Sequence, residues 1–468
     1  MNRLAVINVV GLTEALIGEQ TPRIAAFRKG GSFAHINPAF PAVTCTAQSN
    51  YLTGKTPAEH GIVGNGWYNR ELAEIQFWKQ SNHVVGGEKI WEVLRARARA
   101  AGRQDFTAAN CFWWYNMYSS VDYSITPRPM YPADGRKFFD VYSWPYSIRT
   151  EVKRELGEFP FFGFWGPAAG VDSPQGKADA ASRWIANSSK WIETKYSPTL
   201  NLIYLPHLDY NLQRHGPYTA GGAINPGIHR DLNDIDAIVG GLLDFFGKRG
   251  VQPVILSEYG ITNVDTPVHL NRLFREQGWL TIKEELGREI LDAGNSQVFA
   301  VADHQVAHVY VKEPSLKGKV RALLEKTDGV GEVIEGSGGR FGDLVAVAKA
   351  NAWFTYYYWL DDRLAPDFAR TVDIHRKAGY DPVELFLDPA IKFPKLKIAW
   401  RLLQKKLGLC MLMDVVPLDA KLVKGSHGRC PESRKDWPVL MTAGPGALPA
   451  GQLDSADVFD LLLRLSGI

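Results

Sequence analysis

Cysteine is scarce in this chain: four in 468 residues, at Cys45, Cys111, Cys410 and Cys430, too far apart to form a CxxC pair. That excludes a disulfide framework and a structural zinc knuckle, and it suits a reducing compartment. Charge of one sign is nearly balanced, with a formal net charge of +3, so a nucleic-acid footprint is not expected. Long apolar runs are missing too: no stretch approaches the roughly 20 residues that span a bilayer. The opening "MNRLAVINVVGLTEALIG" is short, β-branched and broken by a Gly turn, which reads as a first core strand and not an export signal. The expected location is the cytoplasm. There is no internal repeat and no low-complexity tract. Nothing in the sequence fixes the oligomeric state.

What is present is an alternation of strand and helix patterns. Residues 4–10 read as a buried strand, 21–29 and 88–101 as helices, and 105–113 as a returning strand. The pattern resumes with helix 177–195, strand 199–206, helix 227–248 and strand 252–258. This order predicts an α/β fold with a mostly parallel sheet covered by helices on both faces. Residues 1–264 and 341–468 are expected to form one core, with a smaller α/β lobe inserted at 265–340, where "VFAVADHQVAHVYV" reads as a strand pair. Residues 114–170 are dense in aromatics, Pro and Asp and show no sustained period, so they read as a long irregular excursion.

Ligands in such a sheet bind beyond the carboxyl ends of strands. Four polar segments lie there: Thr44–Thr46, "LPHLDYNLQRHGP" at 205–217, "LSEYGI" at 256–261 and "VKGSHGR" at 423–429. Thr44 opens a predicted helix, where a hydroxyl is either a cap or a group poised over an anion site. His207 precedes Asp209 by two, so along an extended segment both would face one way. His304 and His308, on one predicted strand, share a face and read as core histidines more readily than as site residues. Asp373, His375 and Asp381 form another polar cluster, either a site element or a structural hydrogen bond with a helix cap. Residues 391–409 place Leu396, Trp400, Leu403 and Leu407 on one helical face among lysines. The ordinary expectation is an apolar stripe on the core; the other is contact with an anionic membrane surface.

Taken together, residues 4–65, "LPHLDYNLQRHGP", "LSEYGI" and "KGSHGR" resemble the type I phosphodiesterase/nucleotide pyrophosphatase branch of the alkaline phosphatase superfamily. The resemblance implies an alkaline-phosphatase-like sheet, a nucleophile at Thr44 and a phosphoryl-steadying amide at Asn65. It also implies two zinc ions. One is held by an Asp, the nucleophile and an Asp-His pair, the other by an Asp, a His and a distant His. Asp209 and His427 match the second set, but its middle His is Gln213 here. In the first set the leading Asp is Val10, and the Asp-His pair is Glu258-Tyr259, with Asn8 a neutral substitute on the same strand. Fewer than two divalent ions are therefore expected, zinc or else manganese. Asp209 and His427 would ligate, with His207, His375 or Glu258 recruited; Glu258 is alternatively a general base.

The implied activity is metal-dependent hydrolysis of a phosphodiester or phosphorylated small metabolite through Thr44. The alternatives are a degenerate member that only binds such a ligand or a partner, and transfer to an acceptor other than water. The opening "NVVGLT" also resembles a bacterial subgroup of the ebo secondary-metabolite clusters, which implies a specialised metabolite as substrate.

Overall fold

The segment LAVINV has no polar side but Asn8, and both of its faces are buried in strand β1 (Leu4–Val9). A strand covered on both faces reads as a continuous apolar run, and each fully buried Leu, Ile or Val contributes about 1.5–3 kcal/mol of transfer free energy. The same composition builds β6 (Leu200–Leu205) and most of β7 (Gln252–Leu256). In this computed structural model, which describes residues 1–133, 136–174, 176–444, 446–448 and 452–467, these three strands are central.

In chain order the remaining strands used below are β2 (Gly31–Asn37), β3 (Ala108–Cys111), β4 (Tyr123–Pro127), β5 (Val141–Trp144), β8 (Val298–Asp303), β9 (Val306–Val311), β10 (Val330–Glu335), β11 (Leu344–Ala348), β12 (Val439–Ala443) and β13 (Gln452–Asp454). The main sheet runs β13-β2-β12-β7-β1-β6-β3-β4-β5. Strands β7, β1, β6, β3 and β4 are mutually parallel, while β12 and β5 run against their neighbours. Helices Pro22–Gly30, Ala180–Tyr196 and His229–Gly247 pack together in one group, and Thr44–Thr53, Ile90–Ala100 and Asp457–Ser466 in another, so both faces are covered. A separate four-stranded antiparallel sheet, β8-β9-β11-β10, is built from residues 298–348. No helix among the described residues is long and apolar enough to cross a membrane.

Three expectations need correction. The 114–170 excursion is not irregular throughout. It supplies β4 and β5, which extend the main sheet, and a helix at Ser147–Leu156. The segment "HLDYNLQRH" is a helix, His207–His215, and not extended chain. The apolar stripe of helix Pro394–Lys406 does not lie on the core: no residue of that helix is buried.

Candidate active site

Parallel strands β7, β1 and β6 end side by side, and their carboxyl ends deliver Glu258-Tyr259, Asn8 and Asp209 to one place. Strand β2 runs in the same direction, because two antiparallel steps separate it from β7, and the chain leaving it reaches Thr44 at the start of helix Thr44–Thr53. Val43, not Thr44, is the N-cap, and no side chain caps this helix. The Thr44 hydroxyl is therefore not spent on capping. It is 3% exposed and lies 3.3 Å from the Tyr259 hydroxyl.

Tyr259 bridges. Its hydroxyl also donates to Asp209 Oδ1 at 3.1 Å, and its ring stacks on His427 at 3.6 Å with a 5° interplanar angle. Asp209 Oδ2 accepts from Gln213 Nε2 at 2.7 Å, and Gln213 in turn meets the Tyr380 hydroxyl. His427 is fixed from two sides. Its Nδ1 pairs with the Ala42 carbonyl at 2.7 Å, and its own carbonyl accepts from the Gln305 N–H at 2.8 Å. With Nδ1 donating to Ala42, Nε2 carries the lone pair. This buried atom has no hydrogen-bond partner and lies 4.0 Å from Asp209 Oδ1.

Asn65 sits across the cleft. Its Oδ1 accepts from the Cys45 N–H at 3.0 Å, and its Nδ2 donates to Asp303 Oδ1 at 3.1 Å. Asp303 and His304 come from the turn between β8 and β9, so this hairpin forms part of the cleft. The His304 ring lies against both His427, at 3.6 Å, and Tyr380, at 3.7 Å.

Burial dominates the electrostatics. It pushes the carboxyls of Asp209 and Asp303 up to about 7, against hydrogen bonds that favour the charge. Glu258 rises to about 8 by burial, offset in part by Gln48, Asn8 and Thr44. Its Oε1 accepts from Asn8 and Gln48, and its Oε2 is otherwise unpartnered. His427 is pushed down to about 3 by burial, and His304 well below its usual range, so both rings are neutral.

A carboxyl raised in the folded state costs stability as pH rises: the unfolded chain ionises first, so the loss begins near pH 4.5 for Glu258 and is complete above about 8. Glu258→Gln cannot ionise. In chelator-treated protein it is expected to match wild type near pH 4.5 and to exceed it at pH 8.5 by about 2 kcal/mol or more, read by urea unfolding. Equal stability at both pH values would show that this carboxyl is not held neutral.

The cleft above these groups has a volume of about 470 Å³ and is walled largely by aromatic side chains, among them Trp78, Trp114, Phe164 and Trp165. A sequence model of the type I phosphodiesterase / nucleotide pyrophosphatase family matches residues 4–381. The chain belongs to that family. This family member is also similar in fold to murine ectonucleotide pyrophosphatase / phosphodiesterase 5, at 14% identity over 100% of this chain and 95% of that chain, with a TM-score of 0.56. An inactive variant of that murine protein has been solved in complex with AMP and superposes equally well, with a TM-score of 0.56 over 96% of its length. Phosphonoacetate hydrolase from Sinorhizobium meliloti, solved with phosphonoformate, gives 13% identity over 99% of this chain and 96% of that chain, with a TM-score of 0.58. No curated protein matches by sequence. The family match makes the chain a member of a hydrolase family, and the solved structures share its α/β fold.

The two-ion site that the resemblance implies is not assembled in this structure: among the described residues no three His, Cys, Asp or Glu side chains are grouped to hold a metal. Asp209 and the orphaned Nε2 of His427 fit at most one ion, short of the three protein ligands usual in catalytic zinc sites.

The other candidates separate. His207 is not a ligand here: on a helix it turns away from Asp209, and its Nε2 lies 3.3 Å from Asp231. His375 lines the cleft wall, with Nδ1 3.2 Å from the Phe77 carbonyl, and is not grouped with Asp209 and His427. His304 and His308 do not share a strand face. His304 is in the hairpin turn and lines the cleft, while His308 in β9 pairs through Nε2 with the Val63 carbonyl. Sequence reasoning discounted His304 in favour of a core role and did not single out Asp303 or Tyr380, all of which lie at the cleft. The only local signal was a histidine at the two-residue turn of the strand pair.

Proposed function

We propose that this family member hydrolyses a phosphate ester, a phosphodiester or a phosphorylated small metabolite, with Thr44 as the nucleophile. The observation that carries this reading is a buried, uncapped hydroxyl at a helix N-terminus on the floor of a cavity that Asn65 also lines. Thr44 Oγ would form a bond to phosphorus as the bond to the leaving alcohol breaks, and water would then displace Thr44 in line. Glu258, with a carboxyl pushed up to about 8, is matched to take the hydroxyl proton near neutral pH. The N–H groups of the helix start, and the second hydrogen on Asn65 Nδ2, would donate to the phosphoryl oxygens as charge builds on them.

Asp209 and His427 would hold one divalent ion, zinc or manganese, which when bound supplies charge neutralisation and activation of an oxygen nucleophile. Purified protein is expected to carry about one equivalent by elemental analysis, and His427→Ala to weaken binding by about a hundredfold or more. Two equivalents in the wild type, or unchanged affinity in the variant, would remove this assignment.

One observation favours a second reading. The Tyr259 hydroxyl already occupies both Thr44 and Asp209, an arrangement suited to a binding protein that has given up turnover. Absence of metal, together with no release of nitrophenol from mono- and diesters at any added metal, would select it.

A further inference from the structure

Helix Pro394–Lys406 has two opposite faces, and each has a distinct environment. Ile398, Leu402 and Lys405 point to the cleft and help to line its mouth, together with Met411 and Met413. On the far side Phe393, Leu396, Trp400, Leu403 and Leu407 form one stripe at helical spacing. That stripe is open: Leu396 is 68% exposed, Trp400 56% and Leu407 65%. Scattered exposed apolar residues are ordinary, but a continuous stripe along one helix marks an interaction surface.

The charge around the stripe names its partner. Residues 391–409 contain Lys392, Lys395, Lys397, Arg401, Lys405 and Lys406 and no Asp or Glu. Lys397 and Arg401 are spent on Asp414, at 3.0 and 2.9 Å. Among the described residues, Lys392, Lys395 and Lys406 beside the stripe have no carboxylate within ion-pair distance. An apolar stripe with an aromatic member, flanked by unpaired lysines, is the pattern of a helix lying in the headgroup region of an anionic bilayer.

We propose that helix Pro394–Lys406 seats this protein on an anionic lipid surface, the helix lying between that surface and the cleft that its other face lines. Resting on the reading above, the seat would serve a phosphate ester with a bulky apolar group, whose phosphate reaches Thr44 while the apolar part occupies the ring-lined walls. Lipid would bury the stripe and lysine Nζ groups would meet lipid phosphates, so binding weakens as salt screens them.

Cosedimentation of the full chain with vesicles of equal parts phosphatidylglycerol and phosphatidylcholine tests the seat. Binding is expected to exceed that to pure phosphatidylcholine by about tenfold and to fall with added sodium chloride. The double variant Leu396→Glu/Trp400→Glu is expected to lose vesicle binding while keeping its fold and its turnover of a soluble nitrophenyl ester. No vesicle binding by the wild type, equal binding to both vesicle types, or full binding by the double variant would overturn the proposal. So would a stripe-dependent dimer in sedimentation velocity without vesicle binding, since a second copy would then be the occupant. Vesicle binding without hydrolysis of any ester would uphold the seat and defeat the catalytic reading separately.

Discussion

Thr44→Ala is expected to lower kcat for a nitrophenyl ester by about three orders of magnitude or more, with folding stability within about 1 kcal/mol of wild type. The two halves of this expectation have different physical sources. The loss in rate follows because no other hydroxyl in the described cleft sits at the start of a helix with a carboxylic acid beside it. The small stability effect follows because the Thr44 hydroxyl does not cap the helix and gives up contacts with Tyr259, Glu258 and Tyr204. Metal content is expected to be unchanged, because Asp209 and His427 are intact. Rapid quench of wild type with a diester should leave phosphate on the peptide that contains Thr44, and no such adduct should form in the variant. Turnover of Thr44→Ala at the wild-type rate would remove this residue from the chemistry.

The second large effect is one of stability. Lys377 is 1% exposed at its side chain and holds Asp381 and Glu384, each at 2.7 Å. Burial pulls its ammonium down, but the two carboxylates outweigh that and hold it above its usual range. Glu384 also accepts from the Trp165 ring N–H and from the Asp373 N–H at 2.8 Å. The cluster therefore pins the segment from Thr371 to Tyr380, which walls the cleft. Lys377→Met leaves two buried carboxylates without their cation, and a loss of about 3–5 kcal/mol is expected by urea unfolding. A rise in KM should accompany it, because the wall loosens. Adding Asp381→Asn and Glu384→Gln to Lys377→Met removes the uncompensated charge, and most of the stability should return. A single variant within 1 kcal/mol of wild type would mean that the cluster does not fasten the wall.

Much of this molecule was legible from residue patterns, and the failures have physical reasons. Strands β1, β6 and β7 were visible because strands buried on both sides must be apolar throughout. Helix His207–His215 was not, because Leu208, Tyr210 and Leu212 alternate as in a strand. Only burial around nearly its whole circumference makes that spacing compatible with a helix. Strands β4 and β5 were hidden by their shortness and by the proline-rich link between them. The stripe of helix Pro394–Lys406 was read correctly as a shared face, but periodicity says which residues lie together and not what covers them. Thr44, Asp209 and His427 could be paired only through the family resemblance. Tyr259 was noticed as a lost imidazole, whereas its hydroxyl and ring join all three.

The turn from Asp303 to Gln305 has a mechanical consequence. Asp303 grips Asn65 through both its backbone N–H, at 2.7 Å, and its amide, while the Gln305 N–H grips His427. These bonds tie one hairpin turn to both Asn65 and His427, so any displacement of the turn would disturb both sides of the site at once. Residues 388–415, which contribute Ile398, Leu402, Met411 and Met413 to the cavity lining, are braced within themselves by Lys397 and Arg401 on Asp414 and joined to the rest of the chain by the Arg370–Asp388 pair at 3.5 Å.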